Sequence, residues 1–97
     1  MYLLVLKLRA IRMQKEAYDW YESQKENLGE LFLQELDEHY KRLQLIPTAY
    51  SPRKGKYRQL QLKKFPYVII YKIVKKQVVV FAVIHTSRNP KDRITNG

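Results

Sequence analysis

The chain has 97 residues, no cysteine and a formal net charge of +10. This length suits one folded domain over residues 1–97 and excludes a second, and the lack of cysteine excludes a disulfide scaffold and thiolate metal ligands. The apolar runs are too short to span a membrane or to form the core of a signal peptide. We therefore expect a globular, cytoplasmic protein.

The charge is distributed unevenly along the chain. Residues 1–15 sum to +4, residues 16–38 to −7 and residues 39–97 to +13. A basic segment of this size predicts an anionic partner, either a nucleic acid or an acidic protein segment. The alternative is that the lysines only keep a small domain soluble.

The first predicted element is a strand over residues 2–8, where the apolar run is continuous, as in strands that are buried on both faces. From about residue 10 to residue 24 the apolar period becomes helical. The residues at spacings of three and four are Ala10, Met13, Ala17, Trp20 and Tyr21. This pattern predicts that Trp20 and Tyr21 belong to the core and that Glu22, which follows them, faces water.

A second helix is predicted from residue 28 to about residue 45, and it ends because Pro47 disfavours helix at the residue before it. Its apolar stripe consists of Leu28, Phe32, Leu36, Tyr40 and Leu43. Asn27 and Glu30 have the spacing of a capping box, in which the Asn27 side chain accepts a hydrogen bond from the amide of residue 30. His39 falls on the flank of the stripe, and we expect it at the surface.

Three strands are predicted after a loop at residues 47–56. One covers residues 57–62, and the clearest two cover residues 65–74 and 77–85. The element order β-α-α-β-β-β predicts an α+β fold, in which a helical hairpin packs against an antiparallel-type sheet.

The last two strands form a predicted hairpin around Lys75 and Lys76. Neither turn residue is glycine or asparagine, so the sequence does not specify the turn type. A register centred on this turn places Tyr71 opposite Val80, and Val68 opposite Val83.

The exit of the hairpin places His85 and Arg88 three residues apart. An imidazole at a strand end could transfer a proton, and a guanidinium could bind a phosphate. Together with Arg58, these two residues are the candidate catalytic group. The alternative is that His85 only ends the strand and that Arg88 is a solvated loop residue.

A second basic set lies between aromatic residues earlier in the sheet half. The candidate binding residues are Arg58, Lys63, Lys64, Tyr67 and Arg88. Cations beside aromatic rings suit RNA, where bases stack and phosphates pair, and they suit an acidic peptide on a sheet edge equally well. The alternative is that the tyrosines pack under the helices.

The acidic residues of the helical half do not have converging metal-ligand spacing, and no glycine-rich phosphate loop is present. We therefore predict neither a metal site nor a cofactor.

Several short sequence words resemble the RelE/ParE superfamily of type II toxin–antitoxin toxins, over nearly the whole chain. The words are Ala10 and Ala17 before Trp20-Tyr21-Glu22, Leu28-Gly29 with Phe32 and Glu35, then Pro47, Arg58, Phe65-Pro66-Tyr67-x-Ile69-x-Tyr71 and His85-x-x-Arg88-x-Pro90. The resemblance implies a bacterial growth-inhibiting toxin, of the kind associated with plasmid stabilisation, made beside an antitoxin that neutralises it.

The resemblance implies one of two activities. RelE-like toxins cut mRNA in the ribosomal A site, whereas ParE-like toxins poison DNA gyrase. The hairpin of RelE-like toxins typically reads Arg-Leu-Val-Tyr where this chain has Val68-Ile69-Ile70-Tyr71. Val68 thus replaces the catalytic arginine, Arg88 matches a second arginine, and the C-terminal tyrosine is missing.

Losing one preorganised charge commonly lowers a rate about 10²–10³-fold. The resemblance therefore favours a ParE-like toxin that binds a protein target such as gyrase. The alternatives are a ribosome-dependent endoribonuclease with a variant site at Arg58, His85 and Arg88, and an inactive member that retains only antitoxin binding.

Overall fold

The computed structural model describes residues 1–87, with the side chain of residue 54 left aside. Two helices, α1 and α2, follow the first strand, and four strands and a 3₁₀ turn follow the helices. The elements are β1 Leu3–Leu6, α1 Leu8–Gln24, α2 Leu28–Leu45, the 3₁₀ turn Pro47–Ala49, β2 Pro52–Lys54, β3 Tyr57–Gln61, β4 Tyr67–Val74 and β5 Gln77–His85. The predicted α+β order is confirmed, with the short strand β2 added inside the predicted loop.

The five strands form one sheet in the order β1-β5-β4-β3-β2. Strands β3 to β5 pair antiparallel, as predicted, and β2 pairs antiparallel with β3. Strand β1 pairs parallel with β5, so the sheet is mixed. A parallel pair needs a long crossover, which here includes the helical hairpin.

Strand β1 is an edge strand, so the expectation that it is buried on both faces is wrong. Its first residue, Leu3, is 61% exposed. Within β1, Leu4 and Leu6 pack against the core beneath the helices. The last apolar residue of the predicted strand, Leu8, is the first residue of α1. Among the described residues, no helix is long and apolar enough to cross a membrane.

The β4–β5 hairpin contains a β-bulge that changes its register. Tyr71 faces Val80 as predicted, but Val68 faces Ile84 instead of Val83. The pairs Tyr71↔Val80 and Ile70↔Ala82 leave Phe81 as the extra residue of β5. In the turn, Lys75 has a positive φ of 55°. This conformation is predicted from sequence mainly where the turn contains glycine or asparagine.

The main core lies between the helices and one face of the sheet. Its aromatic centre is formed by Tyr21, Phe32, Phe65 and Tyr67. The rings of Tyr21 and Phe32 contact each other and both other rings, with centroids 4.9–6.1 Å apart. Trp20 is 46% exposed, so its predicted place in the core is wrong. The buried face of α1 follows Ala10, Ala17 and Tyr21, and Trp20 lies one residue, or about 100° around the helix, from Tyr21.

The link between the helices is capped by α1 rather than by Asn27. Asn27 has a φ of 69° and makes no side-chain cap, so the predicted capping box is wrong. The Glu22 carboxylate instead accepts hydrogen bonds from the amides of Asn27 at 3.3 Å and Gly29 at 2.9 Å. Glu22 was expected to face water only, but it satisfies two of the amides that a helix start leaves without an internal partner.

Candidate functional site

Arg58 lies on the face of the sheet that packs against the helices. It pairs with Tyr71 across β3 and β4, and its guanidinium donates a hydrogen bond to the Tyr50 carbonyl. The Tyr71 hydroxyl donates to the Pro47 carbonyl at 2.7 Å. Both side chains therefore hold the segment between α2 and β2 against the sheet.

The Tyr71 hydroxyl is poorly suited to proton transfer at neutral pH. Tyr71 has no measurable exposure, and burial raises its pKa to about 12 although the nearby Arg58 charge acts in the opposite direction. A general acid or base works best when its pKa lies near the working pH. Tyr71 is therefore a structural hydrogen-bond donor.

The structure does not bring Arg58 and His85 together. Arg58 pairs with Tyr71, whereas His85 pairs with Tyr67. The two pairing positions are four residues apart along β4, and Arg58 and His85 lie on the strands on either side of it. Standard strand geometry therefore places the Cα atoms of Arg58 and His85 about 16 Å apart. Arg88, the third candidate, lies outside the described residues.

His85 lines a cleft between α1 and the sheet, with a volume of about 760 Å³. The polar and aromatic residues of this cleft are Arg9, Arg12, Glu16, Trp20, Tyr67 and His85. The His85 Nδ1 atom accepts a hydrogen bond from the Ser87 amide at 3.1 Å, so the neutral ring carries its proton on Nε2. Two guanidinium groups and an imidazole can together bind an anion.

The sequence did not single out Arg9 and Arg12 as site residues. Their signal is a spacing of three at the start of a predicted helix, which places two cations on one helix face. Their proximity to His85 depends on how α1 lies along β5, and this packing cannot be read from local spacing.

Lys63 and Lys64 lie in the loop between β3 and β4 and reach α2 through their backbone. The Glu35 carboxylate accepts hydrogen bonds from both of their amides, that of Lys64 at 3.0 Å. Both lysine side chains are exposed, and they border a smaller cavity of about 370 Å³ beside α2. Their charges are thus available at the surface while their amides anchor the loop.

His39 is buried, so its predicted surface position is wrong. It is 8% exposed and Glu35 is 7% exposed; the His39 Nε2 atom and a Glu35 oxygen are 2.8 Å apart. Burial alone would raise the pKa of Glu35, but hydrogen bonds from the Lys63 amide, His39 and the Lys64 amide outweigh it and lower that pKa. The loop is therefore anchored by an ionised carboxylate.

Tyr67, a predicted binding residue, has its ring in the core. It is 4% exposed, and its ring lies 5.1 Å from that of Phe32 and 5.1 Å from that of His85. The alternative in which the tyrosines pack under the helices thus describes the Tyr67 ring, although one side of this ring borders the cleft.

The second face of the sheet carries its own small apolar cluster. Val68, Ile70, Ala82 and Ile84 are each at most 7% exposed there. Val68 is opposite Ile84, so the position that the RelE-like pattern fills with arginine is a buried aliphatic contact. The residues that the structure describes contain no group of three His, Cys, Asp or Glu side chains able to hold a metal ion.

Next to that cluster lies a group of aromatic and basic side chains. The Tyr57 and Phe81 rings meet edge to face, with centroids 5.2 Å apart. The Lys72 Nζ atom lies 5.6 Å from the Tyr57 centroid and 5.3 Å from that of Phe81, and the Lys7 Nζ atom lies 5.8 Å from the latter. We call Lys7, Tyr57, Lys72 and Phe81 the Lys72 cluster.

Comparison with known protein families places this chain among the toxins of type II toxin–antitoxin systems. The sequence model for the ParE toxin of the type II system parDE matches residues 4–90. The chain therefore belongs to the ParE toxin family.

Curated relatives and solved structures are in agreement with this family. Toxin ParE2 from two strains of Mycobacterium tuberculosis is 28% identical over 76 residues, which cover 77% of this chain and 72% of the relative. A chain of the chromosomal ParDE system from P. aeruginosa has a TM-score of 0.78 at 19% identity, covering 90% of this chain and 98% of its own. The isolated E. coli RelE toxin has a TM-score of 0.68 at 18% identity, covering 94% and 90%. The two structures share the fold.

Proposed function

We propose that this ParE-family toxin arrests growth in the cytoplasm by binding a protein target, DNA gyrase being the first candidate, and that a cognate antitoxin neutralises it. The observation that carries the proposal is the environment of Val68. Its side chain is 7% exposed and packs with Ile70, Ala82 and Ile84. An aliphatic side chain can neither pair with phosphate nor transfer a proton, so the RelE-like cleavage mechanism lacks a central group.

The other described candidates support the same proposal. Arg58 is hydrogen bonded to the Tyr50 carbonyl. By strand geometry its Cα atom lies about 16 Å from the Cα atom of His85. Groups that act on one phosphate must lie within hydrogen-bond reach of it. This separation supports a proposal in which Arg58 and His85 need not act on the same phosphodiester.

Purified toxin provides the test. We expect inhibition of gyrase supercoiling that saturates with toxin concentration, and intact mRNA in a translation reaction containing the same toxin. The His85→Ala variant should inhibit gyrase like the wild type, because that activity needs no proton transfer. Normal supercoiling at saturating toxin would reject gyrase as the target.

A ribosome-dependent endoribonuclease is the second candidate function, and the cleft at His85 is the observation that favours it. The imidazole has a defined tautomer and lies in the same cleft as Arg9 and Arg12. These groups could supply a proton donor and charge stabilisation without Arg58. This function predicts codon-linked mRNA cuts that His85→Ala abolishes and Arg58→Ala, in folded protein, does not.

A further inference from the structure

The Lys72 cluster has a chemical character that the toxin fold alone does not require. It places two ammonium groups over two partly exposed rings on the sheet face that carries the Val68 cluster. Such contacts contribute to stability only modestly at exposed sites. The bulge at Phe81 adds the residue that places this ring in the cluster, and bulges often re-aim a side chain for function.

The charges of the cluster have no acidic counterpart in the strands around them. Residues 57–85 contain no Asp or Glu, and this segment forms β3, β4 and β5. Each ammonium group has three N–H donors, and contact with a ring face leaves donors that point away from the ring. A carboxylate from another chain could accept these hydrogen bonds.

We propose that the Lys72 cluster is a docking site for an extended acidic protein segment, and that this segment belongs to the antitoxin. The acidic side chains would pair with Lys7 and Lys72, while neighbouring apolar side chains would contact Tyr57 and Phe81. The identity of the partner rests on the proposed function, whereas the chemistry of the site does not.

The geometry favours an acidic peptide over a single-stranded nucleic acid. Nucleic-acid platforms of this kind stack bases on open aromatic faces. Here the Phe81 ring has ammonium groups from both Lys72 and Lys7 within 6 Å of its centroid. A base would have to displace them before stacking, but a carboxylate can bind the ammonium groups where they already lie.

The test uses a fluorescein-labelled peptide of ten alternating Glu and Leu residues, with binding to the full-length protein measured by fluorescence anisotropy. We expect Lys72→Gln to weaken binding about tenfold, the factor expected when a charge-assisted hydrogen bond worth about 1.4 kcal/mol is lost. Lys72→Arg should bind nearly as well as the wild type, because arginine retains both the charge and the ring contact.

The matched control is Lys41→Gln, which removes one exposed positive charge on α2, where Lys41 pairs with Asp37 at 3.1 Å. We expect this variant to bind within about twofold of the wild type. If Lys41→Gln and Lys72→Gln lowered the peptide affinity equally, the net charge of the protein would explain the effect, and the proposal would be overturned. The absence of peptide binding to the wild type would overturn it as well.

Oligonucleotides of ten thymidines or ten uridines, used as competitors, test whether the cluster binds single-stranded nucleic acid instead. Tighter binding of either oligomer than of the peptide, with a loss on Lys72→Gln, would assign the cluster to nucleic acid and overturn the proposal. The gyrase assay is independent of this result. Peptide binding at Lys72 without gyrase inhibition would leave the docking site intact and reject only the target.

Discussion

His39 donates a hydrogen bond from Nε2 to the Glu35 carboxylate at 2.8 Å, and both side chains are buried one helical turn apart on α2. The same carboxylate accepts the amides of Lys63 and Lys64. Since a carboxylate has no proton to donate, the hydrogen of the first bond must come from the imidazole. Three donors thus converge on one anion and fix the β3–β4 loop to the helix.

This arrangement predicts how stability changes with pH. Because the folded-state pKa of Glu35 is lowered from 4.5, its contribution is fully present above that value and is lost as the pH falls through the lower folded pKa. We expect Glu35→Gln to lower the free energy of unfolding at neutral pH by about 1–3 kcal/mol, the range for disrupting a buried hydrogen-bonded group.

Thermal unfolding of the two proteins between about pH 3 and pH 7 measures this effect. The difference between wild type and Glu35→Gln should shrink on acidification below 4.5. Asp37→Asn is the matched control, since Asp37 forms only an exposed pair with Lys41 on the same helix. A difference that is constant over the whole range would contradict the proposed ionisation.

The burial of Phe32 and the exposure of Trp20 predict that losing these two large aromatic side chains lowers stability by very different amounts. Phe32 has no measurable exposure, whereas Trp20 is 46% exposed. We expect Phe32→Ala to lower the free energy of unfolding by about 3–5 kcal/mol, and Trp20→Ala by about 1 kcal/mol or less. Urea denaturation of both variants tests the contrast, and equal losses would show that Trp20 has a core role.

Gly29 is required by the close approach of the two helices. A Cβ atom at this position would lie 2.7 Å from the Tyr18 carbonyl oxygen and 2.8 Å from the Glu22 Cγ atom. Because backbone cannot move aside cheaply, we expect Gly29→Ala to destabilise the protein by about 2 kcal/mol.

Gly55→Ala separates this crowding from backbone strain. Gly55 has a φ of +59° and open space around the added Cβ atom. Its substitution should therefore cost only about 1 kcal/mol, from the left-handed conformation. If Gly29→Ala were as stable as the wild type by thermal unfolding, the helices would not be packed as closely as described.

The buried hydroxyl of Tyr71 gives a further prediction. Tyr71→Phe retains the ring but removes the hydrogen bond to the Pro47 carbonyl, and we expect a loss of about 1–2 kcal/mol because a buried acceptor loses its partner. Tyr57→Phe, at a partly exposed ring, should change stability by less than about 0.5 kcal/mol. Chemical denaturation of the pair distinguishes an anchoring hydroxyl from a replaceable one.

The sequence predicted the helices well because their patterns are long and periodic. The predicted end of α2 at about residue 45 and the extent of β5 agree with the structure. Local spacing was insufficient where adjacent residues compete for one face, as Trp20 and Tyr21 do. The burial of His39 was missed because a polar residue on the flank of the stripe was assigned to the surface, and its pairing with Glu35 was not predicted.

The candidate site was harder to predict than the fold. Arg58 and His85 could be selected by residue type, but their separation depends on which strand lies between them. The register error at Val68 arose because Phe81 is an extra residue in β5, and no turn residue signals such a bulge. Arg9 and Arg12 reach the cleft through tertiary packing of α1, which periodicity does not describe.

The pairing of β1 with β5 has a consequence for the synthesis of this protein. Leu3 and Leu4 pair with Gln77 and Val78, so β1 is synthesised long before the strand with which it pairs. The nascent polypeptide can form its helices early, but it cannot complete the sheet until β5 has emerged. A product terminated before residue 77 would lack this partner strand, so it could not form the sheet in which β1 pairs with β5.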